Sequence, residues 1–270
     1  MSERLLSGKL MAGKRGLIMG VANDHSIAWG IAQLLHEHGA EMAFTFQGDS
    51  LERRVRPLAE SVGADLILPC DVTDDASLDT LFAALKEKWG GIDFLVHSLA
   101  FSDKSELTGR FINTSRENFK NSLDISAFSF IDTARRASEL MNEGGAIITL
   151  TFEGATRVVP SYNVMGVAKA ALEASTRYLA ADLGRDGIRV NALSAGPMRT
   201  LAGAAIGSAR AMYKWTAKHA PLQRNVDMEE VAGAGLYLLS DLSGAVTGEV
   251  HFVDSGYHIV SIPRMEDLDD

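Results

Sequence analysis

The sequence predicts an α/β fold, a single doubly wound domain with a parallel sheet of about seven strands flanked by helices on both faces. Three observations carry this. Short apolar runs bounded by turn residues alternate along the chain with longer stretches whose apolar residues recur every three or four positions. No repeat, linker or low-complexity tract divides residues 1–270. A composition of 46% hydrophobic and 23% charged residues is that of an ordinary globular domain with a sizeable core.

The strands are read at 16–20 (GLIMG), 41–46 (EMAFTF), 65–69 (DLILP), 92–97 (IDFLVH), 145–151 (GAIITLT), 188–194 (IRVNALS) and 249–253 (EVHFV). Amphipathic helices are expected between them at 27–38, 50–61, 75–89, 115–141, 161–183 and 227–240. Regular alternation of this kind gives right-handed crossovers, and places a ligand at the carboxyl ends of the strands, where chain order reverses. One segment breaks the pattern. Residues 196–221 (GPMRTLAGAAIGSARAMYKWTAKHAP) follow the sixth strand, with Met198, Met212 and Trp215 as apolar anchors, and read as a lid or as a passive surface helix pair.

A net charge of −9 and a pI near 5.3 argue against a nucleic-acid surface, which needs clustered Lys and Arg. Cys70 is the only cysteine, so no intrachain disulfide forms. The N-terminus lacks the continuous apolar core of a signal peptide and no stretch reaches a membrane span, so no membrane partner and a cytoplasmic location are expected.

The strand-end loops carry groups suited to a dinucleotide, as in a Rossmann-type domain. After the first strand, Gly20 permits a tight turn, Ser26 stands where a helix begins, and Gly30 lets that helix approach the sheet. An ordinary strand-to-helix turn would look similar. The second strand ends in neutral Gln47 rather than an acid, with Arg53 and Arg54 nearby, which leaves NADH and NADPH both open. Asp71 reads either as an acceptor for the adenine amino group or as a helix cap. Ser98, Leu99 and Ala100 would let backbone lie against the nicotinamide ribose. Agreement among four successive loops is stronger than any one of them.

The stretch TFEGATRVVPSYNVMGVAKA places Tyr162 seven residues before Lys169. On a continuous helix seven residues turn about 700°, so the two would share a face. A phenol near pKa ~10 can donate to a developing oxyanion, and a nearby ammonium favours the phenolate. An interface tyrosine beside a solvated lysine is the bland alternative. No metal is expected, because the seven histidines show no convergent ligand spacing.

The residue four before Lys169 is Met165, so the Tyr-x-x-x-Lys of most short-chain dehydrogenases is absent. The segment PSYNVMGVAKAALEASTRYLA instead resembles the bacterial enoyl-acyl-carrier-protein reductases, with their Tyr-x6-Lys. GVANDHSIAWGIA, FTFQ, CDV, VHSLAF, GRDGIRVNALSAGPMRT and GEVHFVDSGY extend the resemblance over nearly the whole chain. It implies an NADH-dependent reductase of fatty acid synthesis that moves hydride to a trans-2-enoyl thioester on acyl carrier protein, assembled as a homotetramer. It also implies that Tyr162 binds the thioester carbonyl and Lys169 the nicotinamide ribose. Gly20, Ser26, Ile27, Gln47, Asp71, Val72, Ser98 and Leu99 would hold the cofactor, with Met198 and Thr200 near the nicotinamide and pyrophosphate. Ala100, Phe152, Tyr162 and Met212 would meet substrate, and 201–215 matches the family's substrate-binding loop. The helices at 115–141 and 161–183 are expected to pack across subunits, which apolar residues such as Phe128, Phe130, Ile131, Leu172 and Tyr178 permit, and Arg199, Arg210, Lys214 and Lys218 are candidates to receive the acidic carrier.

One position departs from the family. A second tyrosine usual at the end of the fifth strand is Phe152 here. Phe152 either preserves a pocket wall or removes a group used in proton delivery; it also leaves room for a sibling alkene reductase or a catalytically weak dinucleotide-binding paralogue.

Overall fold

The computed structural model describes residues 9–141, 143–204 and 206–264. Seven strands form one parallel sheet in the order β3-β2-β1-β4-β5-β6-β7. They are β1 (Arg15–Met19), β2 (Glu41–Phe46), β3 (Ile67–Pro69), β4 (Phe94–His97), β5 (Gly145–Thr151), β6 (Ile188–Ala195) and β7 (Val250–Val253). Chain order reverses between β1 and β4, which opens a crevice above their carboxyl ends. β1 and β4 are buried apolar runs because helices cover both faces.

One face packs against α1 (Ile27–Glu37), α2 (Gly48–Ser61) and α9 (Met228–Leu239), around Trp29, Phe44 and Leu238. The other packs against α3 (Asp75–Trp89), α5 (Ser129–Ser138) and α6 (Val164–Leu183), around Leu81, Phe130 and Leu172. α4 (Arg116–Leu123) precedes α5, and α7 (Leu201–Ala204) and α8 (Ala209–His219) follow β6.

Four expectations are corrected. The helix expected over 115–141 is interrupted by a π-helical turn at Asp124–Phe128. There Ser126 Oγ takes the Phe101 amide and Ser129 Oγ donates to Ile125 O, so side chains draw the backbone out of register. Gly30 does not approach the sheet: a Cβ there would lie 2.5 Å from Met228 of α9, so the glycine lets two helices touch. Phe130 and Leu172 are fully buried within the subunit and unavailable to a partner, whereas Phe128, Ile131 and Tyr178 are exposed. Trp215 anchors nothing in the core: it is 49% exposed and meets the His219 ring at a tilt of 51°.

Candidate active site

A cavity of about 660 Å3 runs along the strand ends from the β2 side to the segment after β6. Its first wall is the β1–α1 turn. Gly20 takes φ +94°, and a Cβ there would stand 1.9 Å from Ser98 O, so this turn lies directly on the end of β4. Ser26 precedes α1 but its hydroxyl does not cap that helix; it accepts the amides of Ala22 and Asn23 and folds the loop back. Ile27, the first residue of α1, lines the cavity, while the Trp29 and Gly30 amides already donate to Ser26 O, so the helix start presents its first turn to a pyrophosphate.

Gln47, Asp71 and Val72 line the β2–β3 end. Asp71 is not the helix cap: Asp74 accepts the Ala76 amide in that role. The Asp71 carboxylate instead accepts the amide and hydroxyl of Thr73, which hold its pKa below the usual carboxylate value, with the Gln47 amide helping further. Burial, and then the Asp71 charge, push the adjacent Cys70 thiol up to about 11, so it stays un-ionised. Arg53 and Arg54 are exposed on α2 and do not line the cavity. Ser98, Leu99 and Ala100 form its floor.

Tyr162 and Lys169 face the same cavity, but not as neighbours on one helix. α6 begins only at Val164. Ser161 and Asn163 take positive φ, +59° and +39°, so Tyr162 sits on a tight left-handed turn ahead of the helix. Asn163 Nδ2 ties this turn to Glu106 O, 3.0 Å away. The Tyr162 ring lies against Gly154, where a Cβ would come within 2.5 Å of it, and meets Phe152 edge-on at 5.3 Å. Burial, and then the charge of Glu173, push the phenol above its ordinary pKa. Its O–H is therefore a neutral donor, the reverse of the phenolate that a nearby ammonium alone would favour.

Lys169 is buried and donates to Leu150 O at 2.7 Å. Burial lowers its pKa to about 8, with Glu173 opposing the shift. The next strand residue, Thr151, turns away from Phe152 and donates to Glu173 Oε1 at 2.8 Å. Below them His97 is fully buried, with Nδ1 3.1 Å from Thr149 Oγ1 and Nε2 2.9 Å from Ser129 Oγ. Because Ser129 gives its proton to Ile125 O, a neutral ring carries its hydrogen on Nε2, and Nδ1 accepts from the Thr149 hydroxyl, which it shares with His97 O 3.2 Å away. Burial, then the Lys169 charge, hold His97 at about 3.

The 196–221 segment supplies the remaining wall through Met198, Thr200, Ile206 and Met212. Thr200 Oγ1 accepts the Gly203 amide, and Ser208 Oγ reaches Pro160 O. Leu107, Met165 and Ile206 join Phe152 and Tyr162 in an apolar cluster. Of these, Leu107 and Ile206 carry no local pattern that marks them. Glu173 and His97 were also missed as site residues, although Lys169, Leu172, Glu173 and Thr176 recur at helical spacing, which marks a buried face.

A family model described as "Enoyl-(Acyl carrier protein) reductase" matches residues 20–258. An enoyl-[acyl-carrier-protein] reductase [NADH] 2 of Rhizobium meliloti is 62% identical over 259 residues, covering 96% of this chain and 97% of that one. The crystal structure of the reductase of Anaplasma phagocytophilum in complex with NAD superposes with a TM-score of 0.92 at 53% identity, covering 96% of this chain and 98% of that one. That of Bacillus cereus with NADP+ and an indole naphthyridinone gives 0.92 at 50%, covering 94% and 100%. Sequence, fold and the architecture of the cavity lead to one conclusion: the chain belongs to the enoyl-acyl-carrier-protein reductase family.

Proposed function

We propose that the chain reduces the carbon–carbon double bond of a trans-2-enoyl thioester carried on acyl carrier protein, at the expense of NADH, in fatty acid synthesis. One observation carries this most directly: the strand-end loops suited to a dinucleotide, Tyr162, Lys169 and an apolar pocket all line one continuous cavity. The cradle fits the cofactor, since Gly20 lets the β1–α1 turn lie on the end of β4 and the first residue of α1, Ile27, stands at the cavity wall. When bound, NADH supplies the hydride that reaches Cβ. The chain does the rest. Ser26 and Ile27 hold the pyrophosphate end with Thr200, and Gln47, Asp71 and Val72 the adenosine end. Ser98, Leu99, Lys169 and Met198 hold the nicotinamide end. Tyr162 donates to the thioester oxygen as negative charge develops there, and the Lys169 ammonium adds positive potential. Ala100, Phe152 and Met212 border the acyl group and help exclude water, with 196–221 as the lid of the one domain.

The absence of a carboxylate at Gln47 and the position of Arg53 and Arg54 away from the cavity support a choice of cofactor made by affinity rather than by repulsion of a 2′-phosphate. Arg199, Arg210, Lys214 and Lys218 are exposed beside the lid, with Arg199 over the Tyr213 ring at 4.8 Å, and fit an acidic carrier. Reversing two of these charges is expected to raise KM for carrier-linked substrate; unchanged turnover would remove them from docking. The exposed Phe128, Ile131 and Tyr178 support a homotetramer, and a cytoplasmic setting fits the reaction.

The test is oxidation of NADH, and separately NADPH, with a crotonyl thioester by the protein and its Phe152→Tyr and Tyr162→Phe variants. Tyr162→Phe is expected to lose about 100-fold or more in kcat, with Phe152→Tyr within about threefold of the parent. Absence of turnover until tyrosine stands at 152 would favour a sibling alkene reductase or a binding paralogue.

A further inference from the structure

The end of β5 grips α6 twice. Leu150 O accepts the Lys169 ammonium at 2.7 Å, and the hydroxyl of the next residue, Thr151, donates to Glu173 at 2.8 Å. Lys169 and Glu173 are four apart on the helix, so their side chains lie on one face about 5–6 Å apart at Cβ. Both are closed off from water, 5% and 6% exposed. A carboxylate in such a place is costly unless it has hydrogen-bond and charge partners. Burial raises the Glu173 pKa above its ordinary value; Thr151 supplies the first partner against that rise, and Arg177 and Lys169 the second.

We propose that Glu173 is a positioning residue of the reduction: anchored by Thr151, its carboxylate keeps Lys169 an ammonium in the dry wall of the cavity. The proposal rests on the reductase reading, in which Lys169 must be charged to hold the nicotinamide ribose and stabilise the oxyanion. Geometry and electrostatics agree. Burial draws the Lys169 pKa down to about 8, within reach of working pH, and Glu173 is the group that opposes it. The other titratable groups acting on the pair are Tyr162 from the turn before the helix, Arg177 one turn further on, and His97 from β4, which stays neutral beside the ammonium. Without Glu173, the burial of Lys169 is opposed by no carboxylate, and the lysine deprotonates at lower pH.

The experiment measures NADH affinity by nicotinamide fluorescence, and crotonyl thioester turnover, from about pH 6 to about pH 10 in the full chain and in Glu173→Gln, Glu173→Asp and Thr151→Val. Gln keeps the shape and the acceptor for Thr151 while removing the charge. The alkaline midpoint of Glu173→Gln is expected about one to two pH units below that of the parent, with acid-side values within about threefold. Asp should recover part of the shift. Thr151→Val, which weakens the carboxylate's anchorage without deleting it, should shift the midpoint the same way by less. An unshifted midpoint in a folded Glu173→Gln overturns the proposal, as does an unshifted Thr151→Val if Gln at 173 does not fold. A parent that binds NADH but reduces no enoyl thioester would sink the reductase reading, while the binding profile would still decide the role of Glu173.

Discussion

The cavity has two walls built on opposite plans. The β1–α1 turn is in backbone contact with the end of β4, with Gly20 so close to Ser98 that no side chain fits, and Ser26 bonded inward to its own loop. The 196–221 wall is made of a four-residue helix and an eleven-residue helix. Beyond its start, where the Gly196 amide donates to Val253 O, side-chain hydrogen bonds such as Ser208 to Pro160 and Asn225 to Tyr213 tie it to the body. A wall in backbone contact can define a position to a fraction of an ångström and cannot yield. A wall held by a few side chains can give way at small cost. The first suits a cofactor that is the same in every turnover, the second a substrate whose acyl chain must enter and leave.

The sharpest way to break this comparison is Gly20→Ala. Its methyl would stand 1.9 Å from a backbone oxygen at φ +94°, so the turn itself must move. About 3 kcal/mol of stability and at least about tenfold in NADH affinity should be lost, by thermal melting and fluorescence titration. Parent-like binding would show the rigid wall to be adjustable.

His97 tests the floor beneath that wall. Its folded pKa of about 3 lies below the ordinary 6.5, so the unfolded chain takes up the extra proton. The stability this brings is fully present above pH 6.5 and is lost as pH falls from there toward 3. His97→Gln should flatten the pH dependence of the melting temperature over that window; an unchanged slope would mean the ring is protonated in the fold.

The smallest effect belongs to the movable wall. Thr200→Val removes the acceptor of the Gly203 amide, a contact of about 1 kcal/mol. A few-fold rise in KM is expected for the enoyl thioester and for NADH, whose pyrophosphate end Thr200 also meets, with global melting little changed. A large loss of melting temperature would mean the two walls are built alike.

The strands and most helices were legible because a parallel sheet buried on both faces leaves apolar runs punctuated by turns, and β5 and α3 fall at the expected bounds. The cofactor loops were legible for a related reason: each follows directly on a strand end. What pattern does not carry is non-local. The strain at Ser161 and Asn163 comes from contacts with Glu106 and the lid, and helical periodicity ran straight through it. Phe130 and Leu172 look like interface residues until the opposing helix is in place. Glu173 falls on the buried face by spacing, but its partner Thr151 is brought beside it only by the strand.

The turn that carries Tyr162 changes what its distance from Lys169 measures. Were both residues on one helix, the interval would be a ruler graduated in helical turns, and adding or removing a residue would swing the phenol away by about 100°. Here the first part of the interval is an arc and only Val164 onward is screw. The hydroxyl is placed by the loops it leans on, and the lysine by the helix. The motif is thus a meeting of two independently mounted parts, and a change of reach toward a larger substrate can be made in the arc while the ammonium stays where the cofactor needs it.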